Sequence, residues 1–313
     1  MKTCLLSGNF ALDTIVTREY PNGFVIGKNN KFTETIVTEC VGNTCGNVAS
    51  ILPYLGVQTF PIAHLDLSEQ GFKIKDDLQR YGADVRFVEN SVHGGTTLLR
   101  CTHKRDKMNG EHIVSFRATS PDSRFPKRRF LRVRDEAPTF MENLEFTPDI
   151  FFFDAAEAGL RYLASELRKR GTMIYFEPES DADKNKFLKA VEISDIIKFS
   201  HEKISDMSFT NQYDNKLFIR TLGAEGIEFN LCNQGWRKVT SVHNDNVVDW
   251  EGAGDWTTSQ FIACLCEKDI LSISQTSIQS VYECLEIACQ TASCSVSYLG
   301  SKGMIDAKRA IPK

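Results

Sequence analysis

Short apolar runs alternate along this chain with longer stretches whose apolar positions recur every three or four residues. Thr3 to Ser7, Asp149 to Phe153, Thr172 to Phe176, Asp195 to Phe199 and Leu217 to Thr221 are short, apolar and bounded by breakers or charges, the pattern of buried strands. Ser68 to Tyr81, Leu160 to Arg170, Thr257 to Glu267 and Ser277 to Tyr298 carry helical spacing, with Gly82 and Gly171 as stop signals. Alternating strand and helix predict an α/β fold with a mostly parallel sheet covered on both faces. Ligands in such sheets gather beyond the carboxyl ends of the strands.

Two segments break the alternation. Thr14 to Glu39 hold β-prone runs around Pro21-Asn22-Gly23 and Gly27 to Asn30, while Thr96 to Cys101 and Glu111 to Arg117 flank a polar turn at Lys107 to Gly110. Both read as antiparallel strands, either a lid that shields a site from water or ordinary edge hairpins. A third oddity is Arg124 to Arg134, where six of eleven positions are basic. With Phe125, Phe130, Leu131 and Val133 beside them, these read as a solvated amphipathic helix or as an anion-recognition segment.

Composition narrows the field only slightly. The 313 residues, 42% hydrophobic, suffice for one large α/β domain or two ordinary ones, and no linker divides them. A net charge of −4 supplies no global field for nucleic acid or an anionic membrane. Ten cysteines are scattered without a Cys-x-x-Cys pair, which suggests a reduced cytoplasm, and Cys284, Cys289 and Cys294 read as small core or interface residues. Cys4-Leu5-Leu6 is too short for a signal-peptide core or a membrane span, so a cytoplasmic protein with no export is expected.

The chemistry concentrates at Gly252-Ala253-Gly254-Asp255. Val247-Val248-Asp249 reads as a strand end before it, and Phe261, Ile262, Cys264 and Leu265 as a helix after it. Glycines at a helix mouth let backbone N–H groups converge on an anion, helped by roughly half a positive charge from the helix dipole. A second cluster, Gly42-Asn43-Thr44-Cys45-Gly46-Asn47-Val48-Ala49, leads into a short helix with Ile51, Leu52 and Leu55 inward, ending at Gly56.

Together with Gly8 to Asp13 and Thr221-Leu222-Gly223-Ala224-Glu225-Gly226, these motifs fall in an order that resembles the ribokinase-like (PfkB) carbohydrate kinase family. The resemblance spans nearly the whole chain. It implies a three-layer αβα ribokinase-like fold over 1–313, with a small β-lid from about 14–40 and 94–118 over a sugar site. It also implies ATP-dependent phosphorylation of a sugar or sugar-like hydroxyl, with Mg²⁺, room for a monovalent cation, and a homodimer through the lid edge.

Residue by residue, the resemblance makes Asp255 the general base toward a sugar hydroxyl that attacks the γ-phosphorus of ATP. The N–H groups of Gly252, Ala253 and Gly254 form the anion hole. Asp13, Gly42, Asn43 and Asn47 fall to the sugar, and Thr221, Gly223 and Gly226 to the nucleotide. Helix capping for Asp255 and Asn47, turn capping for Asp13 and a tight β-turn at 221–226 are the plain structural alternatives.

The chain departs from the family pattern in four places. Asn43 stands where a second glycine is usual. Ser200-His201-Glu202-Lys203 replaces an Asn-x-x-Glu element near the magnesium and phosphates, and Glu177-Pro178-Glu179 replaces Asp-Pro-Asn. Trp250 and Trp256 flank the glycine turn, where a bulky indole would narrow the pocket or order the nearby loop. These departures keep a second expectation alive, a ribokinase-like sugar- or nucleotide-binding regulator with weak or no transfer. A dinucleotide oxidoreductase is disfavoured, because Gly8 stands alone where a Gly-x-Gly-x-x-Gly fingerprint would begin.

Overall fold

The computed structural model describes residues 1–19, 33–94, 98–104, 112–118 and 130–310. From the N-terminus come β1 (Thr3–Ser7), β2 (Ala11–Glu19), β3 (Thr33–Gly42), α1 (Asn43–Ile51), β4 (Gln58–Leu65), α2 (Glu69–Arg80) and β5 (Val88–Asn90). Next are β6 (Leu98–Lys104), β7 (His112–Ala118), α3 (Glu136–Asn143), β8 (Ile150–Phe153), α4 (Ala158–Lys169), β9 (Met173–Phe176) and α5 (Lys184–Ile193). The C-terminal part holds β10 (Ile196–Ser200), β11 (Leu217–Thr221), β12 (Ile227–Leu231), β13 (Arg237–Val239), α6 (Ala253–Glu267), α7 (Ile278–Ser295) and α8 (Gly303–Arg309).

Among the described residues, nine strands form one sheet in the order β13-β12-β11-β10-β9-β8-β1-β4-β5. From β5 to β11 all pairings are parallel, and β12 and β13 close the sheet in antiparallel fashion. Period-two alternation sends successive strand residues to opposite faces, and each face has its own core. Cys4, Leu6, Phe152, Tyr175, Ile196 and Ile219 pack with α1, α2, α6 and α7. Leu5, Phe151, Phe153, Phe176, Ile197 and Phe218 pack with α3, α4 and α5. The result is the expected three-layer αβα architecture.

The second core is an aromatic chain. Phe153 stacks on Phe176 at 4.6 Å, and Phe187 meets Phe209 edge-on at 5.0 Å. Strand ends are tied down by carboxylates as well: Asp149 accepts the N–H of Thr3 at 2.8 Å, and Asp195 that of Ile174 at 2.9 Å.

A separate four-stranded sheet, β3-β2-β6-β7, leaves the main one where the first strand ends. β2 pairs antiparallel with β3 and parallel with β6, which pairs antiparallel with β7. These strands occupy the two segments that broke the alternation in sequence; the turns at Pro21 to Gly23, Gly27 to Asn30 and Lys107 to Gly110 lie outside the described residues. The nine cysteines whose side chains are described are free thiols. Cys284 and Cys289 are buried against α6, whereas Cys294 is exposed.

Candidate active site

Val247-Val248-Asp249 is not a strand end: residues 240–249 are irregular, and Val247 and Val248 lie at the surface. A Val-Val pair has β propensity but here no strand among the described residues pairs with it. Gly252 then turns the chain with φ of 82°, in the left-handed region that favours glycine. A Cβ there would also meet Ser301 Cβ at 2.5 Å. Trp256 N–H donates to Gly252 O at 2.9 Å, so α6 starts at the turn, and Ala253 N–H donates to Trp250 O at 3.3 Å. Asp255 falls in the first helical turn, where backbone N–H groups have no intrahelical acceptor.

The Asp255 carboxylate is held by α1. Asn47 Nδ2 donates to Asp255 Oδ2 at 2.5 Å. Asn47 is almost fully buried, and its Oδ1 accepts from Ser301 Oγ at 2.9 Å and from the Lys302 ammonium. Lys302, 2% exposed, also donates to Val41 O and to Ser301 Oγ at 3.1 Å. Trp256 does not crowd the pocket: it is buried, meets Tyr54 edge-on at 6.0 Å and donates its indole N–H to Ser301 O at 2.8 Å. It orders the 300–302 loop, while Trp250 is exposed on the surface.

A second ammonium approaches from the sheet. Lys198, in the apolar run of β10, is 3% exposed and shares the α6 face with Ile196. Its Nζ pairs with Glu177 Oε1 and donates to Gly254 O at 3.2 Å. Thr258 Oγ1 donates to the other Glu177 oxygen at 2.6 Å. Burial and the nearby Glu177 charge raise the pKa of Asp255 above the ordinary aspartate value. The Asn47 hydrogen bond and the positive charges of Lys198 and Lys302 oppose that rise.

The N-terminal residues of α1 complete the wall. Asp13, 9% exposed on β2, lies over Gly42, where an added Cβ would come within 2.3 Å of its carboxylate atoms. Asn43 adopts φ of 61°, a left-handed conformation that Asn tolerates better than other side chains. That explains how it can occupy a position where glycine is usual. Asp154, just past β8, accepts the N–H of Asn9 at 2.9 Å and of Cys45 at 3.0 Å, and so joins the first sheet-end turn to α1. Burial first, and then Glu179, push its carboxyl well above the usual range.

Thr221 ends β11 opposite Ser200, and its carbonyl accepts both the N–H of His201 and His201 Nδ1 at 3.1 Å. Gly223 and Gly226 have φ of 59° and 105°, and a Cβ on Gly226 would meet Val239 O at 2.2 Å. The tight turn accounts for both glycines by itself. Ser200 to Lys203 form a turn with Glu202 and Lys203 exposed, so no carboxylate stands where the resemblance puts a magnesium ligand. Glu177 is engaged by Lys198 and Thr258. Among the described residues no three His, Cys, Asp or Glu side chains cluster as a metal site. The donor set does not fit a preformed Mg²⁺ site.

Arg124 to Arg129 lie outside the described residues, and residues 130–134 are not helical, so the amphipathic-helix expectation does not hold there. Arg132 is committed to Asp135 at 2.6 Å and Glu136 at 3.3 Å. It lines a cavity of about 650 Å³ with Arg134, Glu157 and Gly159, away from Asp255. Sequence reasoning missed Lys198, Lys302, Ser301, Thr258 and Asp154. The available signal was a lone lysine inside Ile196-Ile197-Lys198-Phe199 and another between Gly300 and Gly303.

Comparison with known proteins agrees with this fold. No curated protein matches the chain significantly. Among solved structures, a fructokinase with bound ATP from Xylella fastidiosa has a TM-score of 0.68 at 17% identity, covering 96% of this chain and 93% of that one. A nucleoside kinase from Methanocaldococcus jannaschii, an archaeal member of the ribokinase family, has 0.68 at 16%, covering 96% and 94%. A ribokinase from Cryptococcus neoformans in complex with ADP has 0.67 at 15%, covering 99% and 100%. At these identities the likeness shows the shared fold. The family model for the pfkB family carbohydrate kinases matches residues 42–308, and the chain belongs to that family.

Proposed function

We propose that the chain transfers the γ-phosphoryl group of ATP to a hydroxyl of a sugar-like acceptor, with Asp255 as general base. The observation that carries this reading is the Asp255 carboxylate at the mouth of α6, aimed by Asn47 and flanked by two buried ammonium groups. As the acceptor oxygen bonds to the γ-phosphorus, its proton passes to Asp255 and ADP departs with the electrons of the broken P–O bond. A carboxylate whose pKa is raised by burial is a stronger base than free aspartate. The backbone N–H groups of Gly252, Ala253 and Gly254 would face the charge on the transferring group. Ala253 must then exchange its long bond to Trp250 O for that contact.

Asp13, Gly42 and Asn43 would face the acceptor hydroxyls, and Thr221, Gly223 and Gly226 the nucleotide. The four-stranded sheet would cover the acceptor as a lid, and its outer strands β3 and β7 offer edges for a homodimer. In other kinases Mg²⁺ is held largely through substrate phosphates. Fructose, nucleosides and ribose are the acceptors suggested by the names of the similar kinases. No helix among the described residues is long and apolar enough to cross a membrane.

A second reading, a sugar or nucleotide binder with weak or no transfer, is favoured by one observation: Glu202 and Lys203 point to solvent where a carboxylate would be expected. The two separate in one experiment. Purified protein with Mg²⁺ and ATP is screened against pentoses, hexoses, ketoacids and nucleosides. ADP release with at least one acceptor supports the kinase. Thermal stabilisation by ATP and a sugar without ADP release supports the binder.

A further inference from the structure

We infer that Lys302 is a positioning residue for Asp255, acting through the Asn47 side chain, whose amide it locks in the one orientation that presents a donor to the carboxylate. The inference deepens the reading of Asp255 as base and rests on it.

An ammonium carries three donors and no acceptor. Those of Lys302 meet three oxygens: Val41 O at the end of β3, Asn47 Oδ1 on α1, and Ser301 Oγ beside it. Ser301 Oγ also donates to Asn47 Oδ1 at 2.9 Å. Two donors therefore converge on one end of the Asn47 amide, which obliges that end to be the carbonyl. The NH₂ end must then face Asp255, as found.

Without Lys302 the amide loses its charged partner, and a flipped rotamer would bring its oxygen against the carboxylate. The same lysine ties the Val41-Gly42 corner, over which Asp13 lies, to the loop that packs on Gly252. A charge this deeply buried costs stability unless its donors are all met. Here they are, and each partner borders the catalytic turn or the corner beside it.

Its charge matters too. The charged groups facing Asp255 are Glu177 beyond β9, Lys198 on β10 and Lys302 before α8. Lys302 also faces Asp77 on α2, whose carboxylate accepts Val41 N–H at 3.0 Å. Removing Lys302 leaves Lys198, itself bonded to Glu177, as the remaining ammonium facing Asp255.

The test compares Lys302→Met, which removes charge and donors, with Lys302→Gln, which keeps a donor without the charge. The Asp255 carboxyl is titrated by carbon NMR, and kcat and KM for ATP are measured against pH. In Lys302→Met the Asp255 titration and the acid limb of kcat should both move up by about one pH unit. On the acid limb kcat should fall about tenfold, with KM for ATP within about twofold of the parent. Lys302→Gln, which still holds the Asn47 amide, should show a smaller upward shift and recover most of the lost kcat.

A folded Lys302→Met protein with Asp255 titrating at its parent value overturns the proposal, even if its melting temperature falls, since a purely structural lysine predicts that pattern. Should Lys302→Met not fold, the titration of Lys302→Gln decides in the same way. The NMR reading needs no turnover. Failure of the base assignment would instead appear as unchanged turnover in Asp255→Asn while the titration shift in the lysine variants persists.

Discussion

Asn47 and Asp255 stand 208 positions apart in sequence, and the amide of one donates to the carboxylate of the other at 2.5 Å. That bond favours the ionised carboxylate, against burial and the Glu177 charge. Asn47→Leu should therefore raise the pKa of Asp255. A base must be unprotonated to act, so the loss in kcat should be greater on the acid limb of the pH profile than on its plateau, about tenfold on that limb. A pH profile of the variant checks the direction; an equal loss on limb and plateau contradicts it.

The raised pKa of Asp255 also has a stability consequence. Between the unfolded value and the higher folded value, the native state holds a proton that the unfolded chain has lost. Stability thus falls as pH rises through that window, and it stays lower above it. Asp255→Asn removes the burdened charge. Its melting temperature should exceed that of the parent by ~2 °C at neutral pH, and the gap should close as pH falls below the unfolded aspartate value. Calorimetry across pH reads both features.

Lys198 and Glu177 form a buried ion pair whose members are 3% and 13% exposed. Removing one member leaves the other charged and poorly solvated. Lys198→Met should cost about 3 kcal/mol by urea denaturation, and Glu177→Gln added to it should restore part of the loss. Strict additivity of the two substitutions would show that the pair is not coupled.

Gly252 and Gly254 differ in what they can tolerate. Gly252 combines left-handed φ with contact to Ser301, whereas the nearest atom to a Cβ on Gly254 is the Lys198 ammonium at 3.8 Å. Gly252→Ala should lose about 2 kcal/mol of stability. Gly254→Ala should stay within about 0.5 kcal/mol of the parent. Thermal unfolding of the two variants side by side settles the contrast.

Much of the frame is legible in the chain because it is local. The five expected strands, Thr3 to Ser7 among them, carry their burial pattern in four or five consecutive residues. Asn43 was legible as a departure from a glycine position, while the left-handed backbone it adopts shows only in the structure. β4 is harder to read because Pro61 interrupts it, and α5 because its polar residues hide a narrow apolar stripe at Phe187, Ala190 and Val191. Val247 and Val248 mislead for the converse reason, having strand propensity but lying in an irregular segment between β13 and α6.

The glycine turn and Asp255 were legible as a motif, while the lysines that tune them were not. Lys198 reaches Gly254 across 56 positions and Lys302 reaches Asn47 across 255. A buried charge is marked by its tertiary partners, which no local pattern encodes. Asn47 was expected at the sugar; the structure engages both ends of its amide with Asp255, Ser301 and Lys302.

The most direct test of Asp255 as base is the turnover of Asp255→Asn with an acceptor that the parent phosphorylates, alongside ATP binding by calorimetry. The account predicts a loss in kcat of at least about a hundredfold, with ATP affinity close to that of the parent. Turnover equal to the parent in a folded Asp255→Asn protein would contradict it.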